Sequence, residues 1–185
     1  METSPPAVRH FSELLDREIH ARGFQDDITF CAVPAGGIVL AATLADIHGC
    51  AYLSAEKRAV AVATASSREI TTIVFGRHRP RLGEKIILID DVCNNFSTTG
   101  AMIELVERYG ATVVGIACAF NRSVDVESHF VTVYGLDLPI MTVIRQPIRQ
   151  YSQDDPFVAG DVQKGNVVWN PKAEWPLLAA AMAAA

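Results

Sequence analysis

The sequence predicts an α/β domain, a mostly parallel twisted sheet flanked by helices. Two observations carry that expectation. The run Ile86-Ile87-Leu88-Ile89 lacks the alternation of a half-exposed strand, so it reads as a strand covered on both faces. Apolar runs of this kind are separated by stretches of helical spacing, giving the order β-α-β, hairpin, β-α-β, β that parallel strands and their crossovers require.

Taken in order, residues 7–22 place Val8, Phe11, Leu14, Leu15 and Ile19 on one helical face and stop at Gly23. Ile28 to Val33 is a buried strand, followed by the turn Pro34-Ala35-Gly36-Gly37 and a helix from Ile38 to His48. Ala51 to Ser54 completes a βαβ unit. Ala59 to Ala63 and Ile70 to Phe75 then read as the arms of a protruding hairpin around Ser66-Ser67-Arg68-Glu69. After the basic link Gly76 to Arg81 comes the strand from Lys85 to Asp91. A helix from Met102 to Gly110, a strand from Thr112 to Phe120 and a last strand from Pro139 to Ile144 follow. Residues 146–185 read as a loop-rich extension with a short helix at Leu177 to Met182, apolar enough at Tyr151, Phe157, Val167, Trp169 and Trp175 to pack back on the core.

At 185 residues, half of them hydrophobic, the chain fits a single domain, 1–185, with its core at about 28–145. A formal charge of -5 argues against a nucleic-acid partner. Cys31, Cys50, Cys93 and Cys118 are scattered, which indicates neither a zinc site nor a disulfide framework. The N-terminus lacks a signal pattern and no apolar run approaches the roughly 20 residues of a membrane span, so a cytoplasmic protein without a membrane partner is expected.

The strand Ile86 to Ile89 ends in Asp90 and Asp91 and a small polar turn, at the carboxyl end where such sheets place ligands. Adjacent carboxylates repel each other, so hydroxyls or a metal ion are expected to compensate them. Alone, the pair fits a solvated strand end equally well. The glycines of Pro34-Ala35-Gly36-Gly37 let backbone approach an anion, although turns of this kind are common in α/β proteins.

The acidic strand, the loop after it and the helix that follows resemble the type I phosphoribosyltransferases, over about residues 28–145. The resemblance implies that fold, magnesium, and transfer of a 5-phosphoribosyl group from 5-phosphoribosyl 1-pyrophosphate to a nitrogenous base. It assigns Asp90 and Asp91 to the ribose hydroxyls, the developing positive charge and the metal. Asn94, Asn95, Phe96, Ser97 and Thr98 would cradle the 5-phosphate at the start of a helix, where family members usually carry a Thr-Gly-Gly-Thr-like loop. Ala35, Gly36 and Gly37 match the pyrophosphate loop. Lys57 and Arg58 stand where orotate-type members have a Lys-rich segment leading into a mobile loop, and would neutralise the leaving pyrophosphate. Phe120 and Arg122 would contact the base, with Asn121 in place of an acid.

A homodimer is also expected by resemblance. The link holding Arg77, His78, Arg79 and Arg81 either reaches a phosphate, across a dimer interface, or is simply solvated. A response-regulator receiver is rejected, because a βαβ unit already precedes Lys85. The competing function is a non-catalytic regulatory protein that binds phosphoribosyl pyrophosphate.

Overall fold

The computed structural model describes residues 4–61, 70–151, 155–168 and 174–183. They divide into two compact units between Ile148 and Arg149, each taken by itself below. The first unit runs α1 (Pro5–Ala21), β1 (Thr29–Ala32), α2 (Gly37–His48), β2 (Ala51–Ala61), β3 (Ile70–Phe75), β4 (Lys85–Cys93), α3 (Ser97–Arg108), β5 (Thr112–Asn121), β6 (His129–Val131) and β7 (Asp137–Arg145). Among the described residues these strands make one sheet in the order β3-β2-β1-β4-β5-β7-β6. The inner strands β2, β1, β4, β5 and β7 are parallel, and the edge strands β3 and β6 pair antiparallel.

Burial on both faces explains the unbroken apolar run. Ile86 and Leu88 enter a cluster with Met102, Ile103 and Val106 of α3, whereas Ile87 and Ile89 enter another with Leu15 of α1 and Leu40 and Leu44 of α2. All four residues of the run are 0% exposed. Each such side chain contributes about 1.5–3 kcal/mol when removed from water, so β4 is firmly registered between its neighbours. The expected mostly parallel sheet with helices on both faces is the fold observed.

Several expectations are corrected. Ala51–Ser54 and the first hairpin arm are one strand, β2, and Glu56-Lys57-Arg58 lies within it rather than in a loop. Its backbone pairs with β3, Glu56 opposite Val74, Lys57 opposite Ile73 and Arg58 opposite Thr72, so charged side chains extend from a fully paired ladder. The hairpin tip, 62–69, lies outside the described residues. β6 escaped notice because a three-residue strand carries no readable period. The helix α3 begins at Ser97, earlier than Met102, because hydroxyl residues rather than apolar ones fill its first turn.

In the second unit, α4 (Pro156–Lys164) and α5 (Trp175–Ala183) are helical. Sequence periodicity had read α4 as loop. Its signals are local: the Asp155 side chain accepts a hydrogen bond from Phe157 N–H at 2.9 Å, Pro156 opens the helix, and Gly165 closes it at a φ of 73°. The terminal helix was expected.

Leu88→Ala should cost about 3 kcal/mol, because the packing on both faces of β4 leaves little room for collapse. The check is urea unfolding, where the midpoint is expected to fall at an unchanged slope.

Candidate functional site

Parallel strands deliver their carboxyl ends to one edge of the sheet, and there the β1–α2 turn, the end of β4 and the loop into α3 meet. The turn is fastened to β4, since Val33 N–H donates to Ile89 O at 2.8 Å and Gly37 N–H donates back to Val33 O at 3.1 Å. The Pro34–Ala35 peptide is cis. A Cβ added at Gly37 would run into the Ile89 carbonyl oxygen, and one at Gly36 into the Asp91 carboxylate. Both glycines are therefore dictated by proximity of the turn to the acidic strand end.

Asp90 and Asp91 are half-buried. Asp90 Oδ1 accepts from Asp91 N–H at 2.9 Å, and Asp91 Oδ1 from Val92 N–H at 2.8 Å. Burial first, and then the Asp91 carboxylate beside it, push the Asp90 carboxyl up from 3.8 to about 8, while the Lys57 ammonium pulls the other way. The fold therefore favours the protonated form of Asp90 far more than solvent does. Hydroxyl donors or a cation are the groups whose chemistry can offset charge on such a pair.

The loop from Asn94 leads into α3. Asn95 Oδ1 accepts from Ser97 N–H at 3.1 Å and Ser97 Oγ at 2.9 Å, which forms a local turn. Phe96 takes the left-handed conformation, φ 57°, that a glycine would adopt easily. Its ring is 3% exposed and stacks on Phe130, with centroids 5.4 Å apart. The phenyl group thus points into the core and leaves the loop's outer face free. The first intrahelical bond, Gly100 N–H to Phe96 O at 2.8 Å, comes after the N–H groups of Thr98 and Thr99. These orphan donors and the positive end of α3 suit an anion.

Three concavities lie along this edge, two of them lined by one of the acids. One of about 80 Å³ is lined by Asp90 and the loop Asn94 to Thr99. A second, about 310 Å³, lies between Lys57, Thr72 and Ile73 of the hairpin and Ser97, Thr98 and Glu104 of α3. The third, about 330 Å³, is mainly apolar and lined by Phe11, Asp91, Val92, Phe120, Ile144 and Gln146.

The structure therefore brings Gly36, Gly37, Asp90, Asp91, Asn94, Asn95, Ser97 and Thr98 to one edge, with Lys57 facing the start of α3 and Phe120 sharing a cavity with Asp91. Ala35 is exposed on the turn. Arg58 is not gathered in. It alternates with Lys57 along β2 and pairs at 3.5 Å with Glu56, two residues away on its own face. Arg122 follows β5 and lies outside the lining of the apolar cavity, and its buried Nε has no partner among the described residues. Asn121, fully buried, has a structural role. Its Nδ2 donates to Val126 O and Glu127 O, and its Oδ1 accepts from Ser123 N–H, each at 3.0 Å. Sequence reasoning missed Phe11, which served only as a packing position, and Arg145. The latter ends β7 beside Asn121 and buries Nε and Nη1 without a described partner. A lone arginine after an apolar strand carried no signal. Trp169 lies outside the described residues.

A family model described as phosphoribosyl transferase domain matches residues 2–155. An orotate phosphoribosyltransferase from Caldanaerobacter subterraneus subsp. tengcongensis is 24% identical over 148 residues, 79% of this chain and 68% of that protein. Among solved structures, adenine phosphoribosyltransferase from Thermoanaerobacter pseudethanolicus superposes with a TM-score of 0.59 at 18% identity, covering 77% of this chain and 83% of that one. The adenine phosphoribosyltransferase from Saccharomyces cerevisiae gives 0.58 at 15% identity, covering 77% and 82%. At these identities the structures are similar in fold. No described helix is long and apolar enough to cross a membrane.

Gly37→Ala should destabilise the protein strongly because backbone stands in the way, whereas Gly36→Ala should mainly displace the Asp91 side chain. Thermal unfolding of the two variants checks this: a larger drop in Tm is expected for Gly37→Ala. A second expectation concerns pH. The carboxyl is raised in the folded state, so between about pH 4 and pH 8 the native protein holds a proton that the unfolded chain has lost. Stability should fall as pH rises through that window, by at most about 1.4 kcal/mol per pH unit, and Asp90→Asn should flatten the profile. Urea unfolding across the pH range measures it.

Proposed function

The chain belongs to the phosphoribosyl transferase domain family, and from that premise we propose that it transfers a 5-phosphoribosyl group from 5-phosphoribosyl 1-pyrophosphate to a nitrogenous base and releases pyrophosphate. The observation that carries the reading is the Asp90–Asp91 pair, set at the end of a buried strand between a glycine turn and the positive end of α3. In the proposed reaction the bond from the sugar C1 to the pyrophosphate oxygen breaks and a bond from C1 to a base nitrogen forms. The proton on that nitrogen leaves to solvent.

Asp90 and Asp91 accept hydrogen bonds from the ribose hydroxyls, and their charge stabilises the cationic sugar. The Thr98 and Thr99 N–H groups with the Ser97 and Thr98 hydroxyls hold the 5-phosphate. Gly36 and Gly37 give the pyrophosphate close access to backbone, and Lys57 offsets its charge. Phe120 and Phe11 form the apolar wall against the base. The two adjacent carboxylates are hard oxygen donors and so fit magnesium. When bound, the ion would offset charge on the pyrophosphate. Relatives named for orotate and for adenine leave the base open between a pyrimidine and a purine. The reading carries with it a homodimer in the cytoplasm. No observation favours the regulatory alternative.

The test is to incubate the protein with phosphoribosyl pyrophosphate, magnesium and a panel of bases and to measure pyrophosphate. Release with one base is expected. Tight binding of phosphoribosyl pyrophosphate without turnover on any base would instead support the regulatory protein, and absence of binding would sink both. The double substitution Asp90→Asn with Asp91→Asn should abolish that binding in calorimetry while circular dichroism stays native.

A further inference from the structure

The densest positive charge of the chain lies at the opposite edge of the sheet from the two acids. Arg77, Arg79 and Arg81 follow β3, with His78 among them, on a chain whose formal charge is -5. They line a cavity of about 340 Å³ together with Thr29, at the start of β1, and Glu84, just before β4. That volume falls inside the range of about 300–1,000 Å³ usual for small-molecule sites.

The chain just after these cations is fixed. Gly83 N–H donates to Gly110 O at 2.8 Å and Thr112 N–H donates to Glu84 O at 2.8 Å, which ties the segment to the connection between α3 and β5. Pro80 is buried between two of the arginines. The Arg79 guanidinium lies over the Tyr109 ring, 5.9 Å from its centroid. A solvated cationic loop needs none of these anchors.

Positive charge also exceeds negative in the lining, where three arginines face one carboxylate. Glu84 is the acid in the lining, and neutral donors already occupy both of its oxygens: Thr29 Oγ1 donates to Oε1 at 2.6 Å, and Arg81 N–H donates to Oε2 at 2.7 Å. Arg77, Arg79 and Arg81 form no ion pair among the described residues. The three arginines share the lining of one concavity, and each carries a planar fork of N–H donors matched to phosphate oxygens.

We propose that this cavity is a second anion site, which binds an oligophosphate group remote from the Asp90–Asp91 edge. The site is independent of the proposed reaction. Its occupant is a multiply charged phosphate chain, whether inorganic or carried on a small molecule, because three arginines share the lining and a chain of phosphates can meet more of them than a single phosphate can.

Residue-resolved amide NMR of the full chain, titrated with tripolyphosphate in magnesium-free buffer, separates this site from any binding at the acids. The signals of Arg77, Arg79, Arg81 and Glu84 are expected to shift and saturate, in the unaltered protein and in the Asp90→Asn/Asp91→Asn variant alike. In an Arg77→Ser/Arg79→Ser/Arg81→Ser variant, the shifts at Gly83 and Glu84 should require about tenfold more tripolyphosphate or vanish, reflecting loss of charge-assisted hydrogen bonds. Circular dichroism should show that variant folded. Absence of shifts, equal shifts in the serine variant, or the same response to sulfate at matched ionic strength would each overturn the site, the last by showing an adventitious ion only.

Discussion

The double burial of β4 is the constraint from which the rest of the molecule follows. A strand packed on both faces cannot slide by one residue without exchanging its two side-chain sets, Ile86 and Leu88 for Ile87 and Ile89, between clusters of different shape. Register is thereby locked, and the chain has to leave the sheet at one place. That place carries Asp90 and Asp91. The turn after β1 is held to the same strand end so closely that no side chain fits at Gly36 or Gly37. Core packing and site geometry are accordingly one property of this sequence.

Such a site has an energetic cost. The raised carboxyl of Asp90 means that the folded protein stabilises its neutral form, whereas the proposed chemistry uses the charged one. Lys57 opposes the shift without cancelling it. In the proposed reaction a substrate presenting hydroxyls, or a cation, would complete the compensation, and binding energy would go into ionising a pair that the fold alone keeps partly neutral. The arrangement favours ligands by the charge they bring.

Legibility in the sequence followed the range of each signal. The Ile86–Asp91 strand, the glycine turn and the helices α1, α2 and α3 could be read because period and turn chemistry are local. Lys57 and Arg58 looked equivalent as neighbours in sequence, yet strand pairing with β3 sends them to opposite faces, and sequence spacing contains no partner strand. Phe11 and Phe120 lie far apart in the chain and meet only through α1 packing over the sheet. Asn121 read as a departure from an acidic position. Its fully buried amide instead satisfies three backbone groups of the next loop, a role visible only once that loop is folded.

Phe96 shows how a glycine-poor loop keeps the shape that glycine would permit. Left-handed backbone costs a non-glycine residue about 1–2 kcal/mol. Burying the ring contributes about 1.5–3 kcal/mol, and its offset stack on Phe130 adds about 0.5–1.5 kcal/mol. The balance favours the strained dihedral. It also removes freedom: a glycine at this position would sample many conformations before a ligand arrives, whereas a ring anchored in the core holds the chain in one. The aromatic residue acts from behind the loop, through the backbone. The donors of Thr98 and Thr99 at the start of α3 stay aimed at the cavity beside Asp90, set by packing rather than by flexibility.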